Sequence, residues 1–389
     1  MSWSIKINQG LAHKEQQHTY RRRTTRSALC HGASILVKQQ RYLNFASNDY
    51  LGFSQDSGLI QQGQNHLAHY GLGSGGSPLL VGHTEVHAQL EADLAHWQGY
   101  DRALLFISGF AANQALIYAL LAAGDRVLAD RLSHASLLEA ALHSPAELRR
   151  FQHNQPASLA TLLAKPCAGA SLVFTEGVFS MDGDQAPLAA LSALSQQHEA
   201  LLVVDDAHGV GVLGPEGRGS CAAQGVKPDV LILTFGKAFG LSGAAILCAE
   251  PIAEYLLQYA RHYIYSTAMP AFQAAMLHDA LRKVQADAQP QQRLQHNIRY
   301  FHERWAQAAI PLPLLPSQTA IQPVLMGSSE ATLWAAERLR AQGLWLGAIR
   351  PPTVPPQQGR LRLTLTALHS EADIDVLIEG MRDVAKTKP

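Results

Sequence analysis

Lys237 stands alone in "LILTFGKAFGLSGAA" (Leu231–Ala245), a long cation at the end of an apolar run with Gly236, Gly240 and Gly243 around it. Three other apolar runs end in polar residues. "LLVVDDAHG" ends in Asp205 and Asp206, with His208 three positions after Asp205, and "SLVFTEGVFSMDGD" supplies Glu176 and Ser180. "ALLFISGFAAN" turns through Ser108, Gly109 and Phe110 directly into a helical pattern, and Thr234 closes the run that leads to Lys237. Each ending alone is ordinary structure. Together they make a set, because ligands of open α/β sheets sit beyond the carboxyl ends of the strands.

An amine, a carboxylate and a helix N-terminus suited to phosphate match the needs of pyridoxal 5′-phosphate. The lysine amine forms a Schiff base with the aldehyde. A buried aspartate opposite the pyridine nitrogen keeps that nitrogen protonated, since an opposite charge favours the cationic form. Glycines beside the lysine let the backbone come close and leave the side chain room to swing away.

The elements that must position these groups are legible between about residues 100 and 250. Short runs of Val, Ile and Leu alternate with helical patterns, as in a doubly wound α/β fold whose mainly parallel sheet is buried on both faces. After Pro251 the pattern turns helical, and from about Ile321 it reads strand, helix, strand, strand, helix. The expected organisation is an N-terminal arm (1–55), a large α/β domain (56–287) and a smaller C-terminal α+β domain (288–389). "RPPTVPPQQG" (Arg350–Gly359) reads as a stiff connector inside the small domain.

Several functions are excluded. "GLGSGG" (Gly71–Gly76) fits the dinucleotide fingerprint by letter, but "QNHLAHY" before it is no buried strand and position 96 is a histidine, not an acid. Lys237 lacks P-loop spacing, and no G-x-S-x-G occurs. "HTEVH" (His83–His87) has helical spacing with no glutamate after the first histidine and no evident third ligand, so no metal is expected. A net charge of zero, with 31 basic and 31 acidic residues, gives no reason to expect nucleic acid or a membrane surface. No apolar run approaches the ~20 residues of a membrane span. The N-terminus lacks the apolar core of a secretory signal, and Cys30, Cys167, Cys221 and Cys248 lie far apart, which together suggest a cytoplasmic location.

"FASNDYLGF", "DRLSHASLLEA", "TEGVFSMDGD", "VVDDAHGVGVLGPEGRG" and "TFGKAFGLSGAA" together resemble the α-oxoamine synthases, fold-type I pyridoxal-phosphate enzymes that condense an amino acid with an acyl thioester. "LLFISGFAANQAL" and "RPPTVPP" are most similar to the biotin-pathway branch, whose substrates are L-alanine and a pimeloyl thioester on coenzyme A or acyl carrier protein. A glycine-using branch, such as the 2-amino-3-ketobutyrate ligases or 5-aminolevulinate synthases, is the alternative. A cofactor-free protein that kept the fold is the alternative outside enzymes. The resemblance implies that Lys237 is the Schiff-base lysine, Asp205 the pyridinium partner, His134 the imidazole stacked on the ring, and His208 the ligand of its phenolic oxygen. It implies cofactor contacts from Gly109, Phe110, Ser180 and Thr234, and from Thr267 across a homodimer. It also implies that Arg362 pairs with the amino-acid carboxylate, that His134 lies near that carboxylate, and that Arg21, Thr353 and Asn48 bind substrate.

Overall fold

The computed structural model describes residues 1–17, 19–27 and 32–387; Cys30 lies outside them. Twelve strands appear in chain order: β1 (Ser34–Val37), β2 (Gln40–Phe45), β3 (Arg102–Phe106), β4 (Arg126–Asp130), β5 (Glu147–Phe151) and β6 (Ser171–Glu176). They continue with β7 (Leu201–Asp205), β8 (Val230–Thr234), β9 (Ala244–Cys248), β10 (Ile321–Gly327), β11 (Leu344–Ile349) and β12 (Gly359–Thr364). The chain divides into two compact units. One comprises residues 49–180 and 184–292; the other comprises residues 1–48, 181–183 and 293–389.

The larger unit is built on a seven-stranded sheet of order β3-β9-β8-β7-β6-β4-β5. The neighbours from β8 through β5 pair in parallel, whereas β9 runs antiparallel to both β8 and β3. Two reversals return β3 to the direction of β8. The carboxyl ends of β3, β4, β6, β7 and β8 therefore open on one edge. Four of those strands close on a polar residue: Asp130, Glu176, Asp205 and Thr234.

Every residue of β8 and β9 is buried, and so is every residue of β6 and β7 after the first. Central parallel strands covered by helices on both faces have no solvent side on which polar residues could alternate. Their apolar side chains pack with the helices Gly109–Leu120 and Ala135–His143 in one contiguous core. Each buried Leu, Ile or Phe contributes about 1.5–3 kcal/mol. Exposed ion pairs such as Arg102–Glu250 contribute about 0–1 kcal/mol, so the sheet core dominates the stability.

β5 has no counterpart among the expected strands. Its sequence, "ELRRF", buries only the final Phe151 fully, because it lies at the sheet edge and pairs with β4 alone. The long helical pattern after Pro251 is also subdivided. Helices Glu250–Tyr259 and Arg261–Ile264 meet at Ala260, and helices Ala271–Ala286 and Gln289–Ala308 are separated near Asp287.

The second unit carries a five-stranded sheet of order β1-β2-β11-β12-β10. β2 pairs in parallel with β11, with Leu43, Asn44 and Phe45 opposite Leu344, Trp345 and Leu346. The first 48 residues thus belong with the C-terminal segment rather than forming a separate arm to residue 55. The physical reason is edge satisfaction: β11 has β12 on one side and needs a partner on the other. Tyr42 also meets Trp345 edge-on at 5.4 Å between ring centroids.

Gly240 packs the lysine-bearing loop of the larger unit. Its φ is +67°, and a Cβ there would come within 2.3 Å of the Ser54 main-chain nitrogen. Backbone cannot yield as a flexible side chain can. Gly240→Ala is therefore expected to lower unfolding free energy by about 1–3 kcal/mol, measured by denaturant titration of the purified variant. Unchanged stability would show that the loop packs less tightly than this.

Candidate active site

Within the larger unit the polar strand ends converge. Asp205 is buried at the end of β7. Its Oδ2 accepts from Asn113 Nδ2 at 2.9 Å, and its Oδ1 from the Ala207 N–H at 3.0 Å. Asn113 also donates to Ser136 Oγ at 2.9 Å, and Ser136 Oγ meets His134 Nδ1 at 2.8 Å. A continuous hydrogen-bonded path therefore runs from the carboxylate on β7 to the imidazole at the start of the helix Ala135–His143. His134 caps that helix by accepting from the Ser136 N–H. Capping and a role facing the site are compatible, because the cap uses Nδ1.

By accessible surface His134 is exposed, yet the protein around it is dense enough for lost hydration to be the largest influence on its ring. That desolvation, helped by the Lys237 ammonium, depresses its pKa against the opposing pull of Asp205.

Lys237 is half-buried beyond β8, and its Nζ donates to Thr234 Oγ1 at 3.3 Å. Thr234 also abuts Gly109, where a Cβ would stand 2.6 Å from the threonine methyl. Ser108 caps the helix Gly109–Leu120 by accepting from the Ala111 N–H at 3.2 Å, and the first intrahelical bond comes from the Ala112 N–H to the Ser108 carbonyl. The N–H groups of Gly109 and Phe110 precede that bond, at the positive end of the helix dipole. His208 is buried, its Nδ1 2.6 Å from the Tyr50 hydroxyl. Ser180 is half-buried on the loop after β6.

Asp206 points to the other side of its strand, as alternation along the chain requires. Its carboxylate accepts from the Ser220 N–H at 2.7 Å and from Ser220 Oγ at 2.6 Å. Burial nevertheless pushes its pKa up to about 7 against those bonds.

Thr267 is exposed and adjoins the glycine loop, since Ala268 donates its N–H to the Gly76 carbonyl and Ser74 Oγ donates to the Ala268 carbonyl. That loop follows the helix Ser57–Tyr70 rather than a strand, which disposes of the dinucleotide fingerprint. His87 in "HTEVH" is an N-terminal capping group, with Nδ1 3.2 Å from the Thr84 nitrogen and Nε2 2.8 Å from the Met269 carbonyl. No group of three or more potential metal ligands exists among the described residues.

In the second unit, Arg362 is buried on β12 and donates through Nη1 to Asn48 Oδ1 at 3.1 Å and to Thr364 Oγ1 at 2.9 Å. Arg360, two residues away on the same strand face, is matched instead by Asp182 at 2.6 Å. Arg360 thus has a carboxylate partner in Asp182, while Arg362 bonds Asn48 and Thr364. Arg21 is exposed and close enough to Arg350 to depress its pKa, after desolvation as the larger cause. Thr353, also exposed, turns back on Arg350 through a 3.1 Å main-chain bond.

The sequence pattern of the aminotransferase class I and II family spans residues 40–381, and the chain belongs to that family. It is 59% identical to the 8-amino-7-oxononanoate synthase of Yersinia enterocolitica serotype O:8 / biotype 1B over 388 residues, covering 99% of this chain and 100% of that one. The enzyme of the same name from Yersinia pseudotuberculosis serotype IB is 59% identical over 379 residues, covering 97% and 98%. Among solved structures, serine palmitoyltransferase from S. paucimobilis with a bound PLP–myriocin aldimine superposes with a TM-score of 0.93 at 27% identity, covering 99% of each chain. The 8-amino-7-oxononanoate synthase from Francisella tularensis gives 0.78 at 31% identity, covering 89% of this chain and 98% of that one.

The residues fit pyridoxal 5′-phosphate. An amine, a buried carboxylate fixed by two donors, and a helix N-terminus whose first N–H groups precede the first intrahelical bond lie at one sheet edge. Sequence reasoning overlooked Asn113 and Tyr50 as parts of this site. Asn113 lies in "GFAANQAL" four residues after Gly109, one helical turn away on the same face, and that spacing was the available signal.

Asn113→Ala removes one of the two donors that Asp205 is given. Its cofactor affinity is expected to fall about tenfold, read by absorbance titration with pyridoxal phosphate; a hydrogen bond to a charged group contributes about 1.5–3 kcal/mol.

A second prediction concerns His153, whose Nδ1 lies 2.9 Å from Asp130 and whose Nε2 lies 2.7 Å from Asp184. Burial alone would lower its pKa, but the two carboxylates overcome that and raise it from 6.5 to about 10. A raised histidine contributes fully below the unfolded pKa and loses its contribution as pH climbs through the folded one. The stability gap between the native protein and His153→Asn should stay flat below pH 6.5 and close toward pH 10. A gap that widens with pH would contradict the doubly paired imidazolium.

Proposed function

We propose that this protein joins L-alanine to a pimeloyl thioester, on coenzyme A or acyl carrier protein, giving 8-amino-7-oxononanoate, carbon dioxide and the thiol. The observation that carries this reading is Lys237 set against Thr234 on the same sheet edge as the doubly bonded Asp205, in a chain 59% identical to synthases of that name over nearly its whole length. Pyridoxal 5′-phosphate, when bound, supplies an aldehyde for an amine and a protonated heterocycle that accepts electron density from the substrate α-carbon.

The chain's own groups do the rest. Lys237 Nζ would hold the cofactor aldehyde at rest and, as a free amine, would serve as general base for the alanine α-proton. Asp205 holds the proton on the ring nitrogen, and Asn113 holds Asp205. With the group bound, His134 would stack on its ring, His208, oriented by Tyr50, would meet its phenolic oxygen, and Gly109, Phe110, Ser180 and Thr234 would contact the cofactor and its phosphate. Arg362, steadied by Asn48, takes the alanine carboxylate with the fork geometry that a lysine lacks. Arg21 and Thr353 would bind substrate. The bond made is from the alanine α-carbon to the thioester carbonyl carbon. The C–S bond breaks to release thiol, the carboxylate leaves as carbon dioxide, and the α-carbon takes back one proton.

A homodimer completes the site, with Thr267 reaching the phosphate held by a second copy. The support is an exposed apolar surface around the segment that carries it: Leu72, Leu80, Val81 and Tyr265 are each 67–80% exposed. Apolar exposure on that scale marks an interaction surface. Among the described residues no helix is long and apolar enough to cross a membrane, and Cys167, Cys221 and Cys248 form no disulfide, with which a cytoplasmic setting accords.

The test is borohydride reduction of the purified protein with cofactor, followed by peptide mapping, alongside an assay of alanine plus pimeloyl donor read by product mass. The adduct is expected on Lys237, and Lys237→Ala should lose at least about a hundredfold in turnover. An adduct elsewhere, or turnover with glycine and none with alanine, would overturn the reading.

A further inference from the structure

Glu176 closes β6, is 3% exposed, and has no part in the chemistry above. Its Cα is the register partner of Asp205 on the adjacent parallel strand. Residues paired in this way send their side chains out on the same face, so Glu176 shares the face from which Asp205 enters the site. The groups around its carboxyl include Asp205 on β7, Asp130 on β4, Lys237 beyond β8, and the main-chain N–H of His134, close enough to favour its charged form. Oε1 is buried and has no partner.

A buried carboxylate needs several donors or a closely matched cation. Asp130 has both: His153, and the N–H groups of Leu132 and Asn154. Asp205 has Asn113 and Ala207. Glu176 is given one N–H and looks onto two other acids. Burial is the largest influence on it, reinforced by Asp205, and it holds the carboxyl well above the usual range despite Lys237 and the His134 N–H.

We propose that Glu176 is a positioning residue held as the neutral acid: one oxygen fixes the turn that carries His134, and the other keeps the proton, so that Asp205 faces the cofactor without a second anion beside it. The role rests on the proposed site, but its first test does not require turnover. Thermal stability of the purified full-length protein and of Glu176→Gln is measured from pH 5 to 9. An acid whose folded pKa is raised stays protonated in the fold while the unfolded chain ionises above its model value of 4.5. The native protein therefore loses stability relative to the glutamine variant as pH rises through this window. The expected result is a melting-temperature gap in favour of Gln that widens with pH. A Gln variant that is the less stable of the two at pH 8, or a gap that does not change with pH, would overturn the proposal, since either means an ionised Glu176 or one that does not titrate in this way.

The second test follows the His134 contact. Glu176→Ala removes the acceptor and should raise both the cofactor Kd and the KM for alanine about tenfold, a factor that corresponds to the loss of roughly one hydrogen bond. Glu176→Gln, which keeps a carbonyl oxygen for the His134 N–H, should rescue most of that loss. Equal damage in Ala and Gln would refute the positioning role. If the alanine variant fails to fold, the glutamine variant decides both points. Failure of the assay with alanine, together with a widening stability gap, would count against the proposed reaction and not against Glu176.

Discussion

Asp205 brings a carboxylate into an almost closed environment, and much of the larger unit follows from the need to keep it there. Taking such a group out of water costs several kcal/mol unless donors replace the lost hydration. One donor comes from the main chain at Ala207 and one from Asn113, on a helix that packs against the sheet. The same Asn113 amide fixes Ser136, which in turn fixes His134. The carboxylate, the amide, the hydroxyl and the imidazole therefore form one network spread over three elements. Any shift of the helix Gly109–Leu120 would disturb its own N-terminus and the Asp205 carboxylate at once.

The neighbouring residue shows what the opposite strand face demands. Asp206 is turned away from the site and serves the fold, binding Ser220 twice. Its carboxylate is so crowded that a Cβ on Gly177, Gly209 or Gly219 would approach its oxygens to 2.1, 2.2 and 1.9 Å. The glycines of "GVGVLGPEGRG" are thus partly a packing requirement around a buried acid. A chemical role for the whole motif does not follow from its composition alone.

Legibility in the sequence tracked burial. β6, β7 and β8 are apolar runs because helices cover both of their faces, and their polar ends stood out against that background. β5 escaped because an edge strand with one buried residue has the composition of a loop. The membership of β1 and β2 in the sheet of the second unit was hidden for another reason: β2 pairs with β11 some 300 residues away, and local periodicity carries no information about so distant a partner. Lys237, Asp205 and His208 were readable from strand-end logic, whereas His134, Thr267, Arg21 and Thr353 entered through resemblance. Asn113 and Tyr50 were missed because each acts through another side chain, Asp205 or His208, and such a role leaves only a faint mark in spacing.

The acids at this sheet edge differ in how their charge is met, and that difference is what the edge offers a ligand. Asp130 is matched by His153, whose proton is held up to pH of about 10. Asp206, pushed to about 7, is answered by the hydroxyl and N–H of Ser220 on the far face. Glu176, pushed well above the usual range, avoids the problem by keeping its proton. Asp205 is left with neutral donors, an amide and a main-chain N–H, which fix its direction without cancelling its charge. A site built this way presents one oriented carboxylate at short range in a poorly hydrated setting, where Coulomb attraction is far stronger than in water. It favours a heterocycle that can carry a proton over one that cannot. The preference comes from how the neighbouring acids are neutralised, not from Asp205 alone.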